Sequence, residues 1–258
     1  AAGCAGSCVF IKRKKGLHRF AGALGMPRAF LRHRFVWAVL LMWAFFVYLV
    51  LHSFRLAGGA VHSCQATYGD MSMHLSFITS LARQQVFPPE YSLLPGTRLS
   101  YPFLADSISA SLYLWGAPLR LSYALPMWAA GAQVFFGFWL FAHRMLRSGG
   151  RAAFAWVLFF CNGGLGLFYF LGGGPGSFSR IFTAFYETPT NYIQENVRWV
   201  NVIADMMLPQ RATLFGWALL FPTLYLLYRA AFEKQRRYFL YVGVLAGAMH
   251  MVHTHSFL

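Results

Sequence analysis

The sequence predicts an all-α membrane protein with about five transmembrane helices and two interfacial helices in its first extracytoplasmic loop. Three observations carry that expectation. The 258 residues are 58% hydrophobic and only 11% charged, whereas soluble domains are about 25% charged. Apolar stretches near the ~20 residues that cross a hydrocarbon core as a helix recur along the chain. Basic residues cluster on one predicted side of those stretches and acids on the other.

The elements follow in order. Residues 1–34 form a basic segment containing Lys12, Arg13, Lys14, Lys15, Arg19, Arg28, Arg32 and Arg34. Such a cluster before a span is expected in the cytoplasm. The apolar run after it is too long for a signal-peptide core, so a first transmembrane helix is expected at 35–52. Further spans are expected at 121–142, 152–171, 212–229 and 239–257. Together, 35–258 reads as one polytopic transmembrane domain. The chain begins with Ala and stops in an apolar stretch at Phe257-Leu258. An N-terminal piece of a longer protein, truncated at its C-terminus, is therefore expected.

The stretch 103–116 decides the topology. As a helix its roughly 14 residues rise only ~21 Å, short of the ~30 Å core. If it lies along the interface, Arg144, Arg147 and Arg151 fall inside with Arg229, Lys234, Arg236 and Arg237. Asp70, Glu90, Asp106, Glu187, Glu195 and Asp205 then fall outside, leaving only Glu233 inside. The positive-inside pattern favours this arrangement. It gives outer loops at 53–120 and 172–211.

Within the first outer loop, Met71, Leu75, Ile78 and Ala82 follow helical spacing over 70–84. Leu104, Ile108, Leu112 and Trp115 do the same over 103–116. Short amphipathic helices suit a membrane surface. Pro88-Pro89 and Pro95-Gly96 punctuate the connection between them. In the second loop, Gly172–Ser177 is a flexible entry, and Pro189 and Pro209 mark turns.

Net charge is +15. Nucleic-acid binding does not follow, because the basic residues flank apolar spans rather than cover a soluble domain. They suit anionic membrane lipid instead. Cys4, Cys8, Cys64 and Cys161 have neither zinc spacing nor a disulfide framework.

The candidate chemistry sits mainly in the outer loops. Asp70 and His74 are i and i+4, so they share a helix face. A carboxylate beside an imidazole suits proton abstraction, metal ligation or a plain hydrogen-bonded pair. Asp70 is also suited to cap the helix at 71–84. Asp106 in an amphipathic segment is costly unless solvated or paired. Arg211, at the outer start of the fourth span, has forked donors that match a phosphate. It also fits a snorkelling interfacial arginine. His250, His253 and His255 approach the outer end of the fifth span, a weak metal pattern with no acid nearby. They also fit as polar residues lining a cavity. Asn162-Gly163-Gly164 suits close helix packing. No phosphate-cradling glycine loop, nucleophile elbow or HExxH is present.

Several stretches together resemble the GT-C superfamily of polytopic membrane glycosyltransferases, which includes protein-mannosyltransferase-like enzymes and uncharacterised bacterial members. These are Gly69-Asp70 with His74 soon after the first span, Phe87-Pro88-Pro89, Leu99-Ser100-Tyr101-Pro102 and Asp106 in a second surface helix. Leu208-Pro209-Gln210-Arg211 and His253-Thr254-His255-Ser256 add to the likeness. It covers roughly 60–110 and is thin elsewhere. It implies a polyprenyl- or dolichyl-phosphate-linked sugar donor and inverting transfer to an acceptor hydroxyl on the extracytoplasmic side. A bacterial plasma membrane is the implied setting. Asp70 matches the first-loop acid used as base or metal ligand, with His74 beside it. Arg211 would contact the donor phosphate by position only, and Asp106, His253 and His255 are the further candidate substrate contacts. Met71 stands where many mannosyltransferase-like members carry a second acid, so a divalent metal stays open. A membrane transporter is the main alternative function, because acids, histidines and glycine breaks also mark substrate paths. A non-catalytic membrane assembly protein is the next.

Overall fold

The computed structural model describes residues 34–64, 66–163, 191–192, 197–198 and 200–258. The expectations for the basic segment 1–33, for the second half of the 152–171 span and for most of the 172–211 loop lie outside the described residues. Two compact units divide the chain, residues 1–40 and 41–258. Of the first, residues 34–40 are described, and they open helix α1 (Phe35–Ser53).

The second unit is mainly helical. After α1 comes a hairpin of β1 (Phe54–Ala57) and β2 (Ala60–Ser63), then α2 (Tyr68–Gln84) and α3 (Leu104–Leu114). Next are α4 (Leu119–Leu146), α5 (Gly149–Phe160) and a two-stranded pair of β3 (Asn191–Tyr192) and β4 (Val197–Arg198). A π-helical turn at Val202–Met207 leads into α6 (Arg211–Ala231). Helix α7 (Tyr238–Met249) and a short α8 (Thr254–Phe257) follow.

Three described helices are long and apolar enough to cross a membrane: α1, α4 and α6. Five spans were expected. Helix α5 is apolar but has 12 residues, ending at Phe160 with Cys161 as its cap. Helix α7 also has 12 residues, and the continuous helix expected over 239–257 does not form. The chain leaves the helix at His250–His253 because His253 is extended (φ −160°, ψ 104°) and its ring docks on α6. Gly216 makes room for that docking. A Cβ there would lie 2.5 Å from His253 Cβ and 2.8 Å from Ser256 Oγ. Gly216→Ala is therefore expected to lower the unfolding midpoint in detergent, at a cost of about 1–3 kcal/mol from overpacking. An unchanged midpoint would show that α8 yields without loss.

The hairpin was not expected within the first loop. Gly58 and Gly59 both adopt positive φ (58° and 76°), the backbone of a two-residue turn matched to strand twist. Phe54 pairs with Ser63 and Ala57 with Ala60. Proline occurs inside both long helices of the unit, Pro126 in α4 and Pro222 in α6. Each removes one backbone donor, which membrane helices tolerate when neighbours satisfy the freed carbonyl.

Aromatic packing holds the helices. Phe135 of α4 meets Phe46 of α1 at 5.8 Å and Phe160 of α5 at 4.8 Å. Phe138 meets Phe221 of α6 at 5.3 Å. Gly131 allows the α1 approach, since a Cβ there would lie 2.6 Å from the Phe46 ring. Trp43 Nε1 donates to Trp128 O at 2.9 Å and Arg120 Nη2 to Leu51 O at 2.7 Å, tying α1 to α4.

At the far end of α4 and α6, Arg144 Nη2 donates to Glu233 Oε2 at 2.6 Å, and Arg144 Nε donates to Oε1. Arg229 Nε adds an ion pair at 3.5 Å. Hydrogen bonds from Arg144, with the charges of Arg144 and Arg229, hold the Glu233 carboxyl below its usual range. The folded value lies below the unfolded one. The stabilisation is thus complete above the ordinary Glu value of about 4.3 and is lost as pH falls through the depressed folded value. Glu233→Gln is expected to flatten the acid limb of the stability profile. An unaltered acid limb would show that the pair contributes nothing.

Candidate functional site

The site begins with α2. Its first turn carries Asp70, and the helix starts at Tyr68 with Thr67 as its N-cap residue. Asp70 is therefore inside the first turn rather than the cap. A carboxylate there is favoured by the positive end of the helix dipole. It is half-buried and has no hydrogen-bond or ion-pair partner among the described residues.

One turn on, His74 is buried, but it does not pair with Asp70. Its Nδ1 lies 2.9 Å from Asp106 Oδ2, where α3 packs against α2. Of the two ways expected to offset its cost, solvent or a partner, Asp106 has the partner, and it is fully buried. A carboxylate oxygen accepts, so Nδ1 is the nitrogen that bears the proton in this contact. The His74 ring lies edge-on to Phe77 at 6.3 Å and Tyr101 at 5.9 Å.

Asp106 also faces Arg211, the first residue of α6. Arg211 Nε lies 3.0 Å from Asp106 Oδ1, an ion pair whose angle departs from a straight hydrogen bond. Arg211 Nη1 donates to Tyr123 O at 2.9 Å. Its Nη2 donates to Ala105 O at 3.2 Å and to Ser109 Oγ. The guanidinium carbon sits 4.9 Å from the Tyr123 ring and 5.1 Å from the Phe215 ring. Burying one carboxylate and one guanidinium costs several kcal/mol per ion unless each is paired and hydrogen-bonded. Here both are.

The consequence is geometric. His74, Asp106 and Arg211 join α2, α3 and α6 in one buried polar chain, with α4 supplying the Tyr123 carbonyl. Arg211 has no exposure, and every one of its nitrogens faces protein. In this arrangement it does not present donors to a phosphate outside the protein.

Tyr101 borders the same place. It is half-buried and its ring also meets Phe77 at 5.5 Å. Burial, with the charges of Asp106 and Asp70 nearby, pushes its phenol up to about 12. It therefore stays a neutral hydroxyl, able to donate, throughout the physiological range.

His253 and His255 do not join this chain. His253 Nε2 is 3.3 Å from Thr213 Oγ1 and Nδ1 is 2.7 Å from Ser256 Oγ. His255 is exposed, with its ring 5.4 Å from that of His253. His250 stacks edge-on with Phe257 at 5.8 Å. Among the described residues no group of three or more His, Cys, Asp or Glu side chains is arranged to hold a metal ion. Among the described residues Asp70 has no second or third donor of the kind that a divalent ion requires.

The sequence missed Ser109, Tyr123 and Phe215 as parts of the site. Ser109 had a readable signal, being three residues after Asp106 and on its helix face. Tyr123 contributes a backbone carbonyl and a ring face, which no motif marks. The chain matches no protein-family model, no curated protein and no solved structure.

Proposed function

We propose that this chain carries the reactive site of a membrane glycosyltransferase. It moves a sugar from a polyprenyl- or dolichyl-phosphate donor to an acceptor hydroxyl at the extracytoplasmic face. The single observation behind this reading is Asp70: a half-buried carboxylate with no partner among the described residues, on a helix fixed from below by buried charges. A carboxylate with no partner among the described residues, beside an ion-paired cluster, is suited to receive a proton. The likeness of residues 60–110 to the GT-C superfamily supplies the substrate class.

In this reading Asp70 takes the proton of the acceptor hydroxyl. The acceptor oxygen bonds to the anomeric carbon as the bond from that carbon to the phosphate oxygen breaks. The electron pair leaves with the lipid phosphate, and the configuration at that carbon inverts. Tyr101, neutral and adjacent, donates to the acceptor or the sugar. His74, Asp106 and Arg211 are positioning residues that hold α2 against α3 and α6. With Arg211 turned inward, His255 is the exposed residue assigned to the donor phosphate. The finer topology belongs to the same proposal. It has five spans, with α5 and α7 beginning the shorter two, a cytoplasmic N-terminus in a bacterial plasma membrane, and α2 and α3 on the outer surface.

The test uses full-length protein in proteoliposomes with a radiolabelled polyprenyl-phosphate sugar. Labelled acceptor and free polyprenyl phosphate should appear together. One observation favours a transporter as the second reading, the helix break at His250–His253 beside Thr213, since broken helices often line substrate paths. Solute flux with the donor intact would select it and end the transferase reading.

A further inference from the structure

The segment between α2 and α3 combines a well-fastened backbone with apolar side chains held outward. Gln84, at the end of α2, clamps Glu90 from both sides: Nε2 donates to Glu90 O at 3.2 Å and Oε1 accepts from Glu90 N at 2.9 Å. Tyr91 N donates to Thr97 O at 2.8 Å and Leu99 N to Pro89 O at 2.9 Å. Ser92 Oγ meets Ser76 Oγ of α2 at 2.6 Å. Despite these ties, Phe87 is 82% exposed and Leu93 70% exposed, with Val86 and Leu94 exposed beside them. The Phe87 ring lies 6.2 Å from Phe103, which joins the loop to the start of α3. Helix α3 continues the surface with exposed Ile108 and Leu114, and Trp115 follows at 83% exposure.

We infer that this loop and the outer side of α3 form a membrane-docking surface seated in the headgroup–acyl boundary of the leaflet at the start of α4. Continuity identifies the occupant. Gly116–Pro118 leads directly from Trp115 into α4, a helix apolar enough to cross a membrane, whose Leu121 and Leu125 are also exposed. The apolar patch is thus an extension of a lipid-facing side. Phe, Leu and Trp are the side chains that settle at this depth. Exposed Arg83 and Arg98 are suited to lipid phosphates at its rim. Large apolar side chains exposed in succession from Val86 to Trp115 fit a lipid surface better than water.

The docking gives the proposed site its height. The ties from Gln84 and Ser76 join the seated loop to the helix that carries Asp70. Asp70 is thereby fixed close to the bilayer surface, where a lipid-linked donor displays its phosphate. The inference rests on the reading of 103–116 as a surface helix and is independent of the transfer chemistry.

The test places an environment-sensitive fluorophore at Phe87→Cys, Leu94→Cys or Trp115→Cys in a cysteine-free full-length chain. Exposed Ser72→Cys on α2 is the aqueous control. Each variant is reconstituted in nanodiscs of phosphatidylcholine and phosphatidylglycerol. Blue-shifted emission, quenching by headgroup-proximal doxyl lipid and loss of iodide quenching are expected at 87, 94 and 115, with strong iodide quenching at 72. Iodide quenching at 87 and 94 equal to that at 72 would overturn the inference. So would protection from both quenchers, which would indicate a protein partner. Quenching at 115 chiefly by chain-end doxyl lipid would overturn it through its premise, since 103–116 would then cross the membrane. Donor turnover in the same labelled variants separates this result from the fate of the transferase reading.

Discussion

Asp106→Ala is expected to destabilise the protein by about 3–5 kcal/mol, the usual cost of leaving a buried partner charge uncompensated. Arg211 would keep its bonds to the Tyr123 and Ala105 carbonyls and to Ser109. It would lose the only carboxylate paired with it among the described residues. His74 would lose the acceptor of its Nδ1 proton in the same step. The double change Asp106→Leu with Arg211→Met separates charge from packing. Removing both ions and filling their volume should recover much of the loss, because buried pairs are often near-neutral against apolar replacements. Unfolding midpoints in detergent measure both. A loss below about 1 kcal/mol for Asp106→Ala would be the value of an exposed pair, and would mean that water reaches this cluster.

Much of the helical order is legible from apolar spacing alone. Helix α1 lies where 35–52 predicts it, and α4 and α6 extend past 121–142 and 212–229 at both ends. Helices α2 and α3 follow the spacing read in 70–84 and 103–116. The fifth stretch was not legible as it folds. Hydropathy averages over 239–257, whereas the break at His250–His253 is set by contacts with Thr213 and Gly216, some 40 residues away in sequence. The hairpin after α1 had a local signal in Gly58-Gly59, hidden by its brevity.

The site was legible in its residues more than in its pairings. Asp70, His74, Asp106 and Arg211 all stood out as polar groups in an apolar chain. The i,i+4 relation pointed His74 toward Asp70, and the structure turns it to Asp106 instead. Spacing along a helix specifies a face and not which neighbour packs on that face. Arg211 illustrates the same limit. A guanidinium at the predicted outer end of a span fits a phosphate contact or a snorkelling side chain equally well. Only the packing of α3 and α4 around it shows that its donors turn inward.

Asp70 carries the central claim, and Asp70→Asn is the change expected to affect activity most. The amide keeps the size of the side chain but cannot take up a proton at neutral pH. Loss of a positioned general base typically lowers the rate by about 10²–10⁴-fold. Stability should move little, within about 0.5 kcal/mol, because Asp70 is half-buried and pairs with no described residue. The effect on Asp106→Ala runs the other way, with activity lost through unfolding. The most direct measurement is therefore sugar transfer from a polyprenyl-phosphate donor by full-length Asp70→Asn beside the unchanged protein, with the unfolding midpoint recorded for each. The account expects transfer to fall by about 10²–10⁴-fold at an unchanged midpoint. Transfer retained by the Asn variant would contradict it.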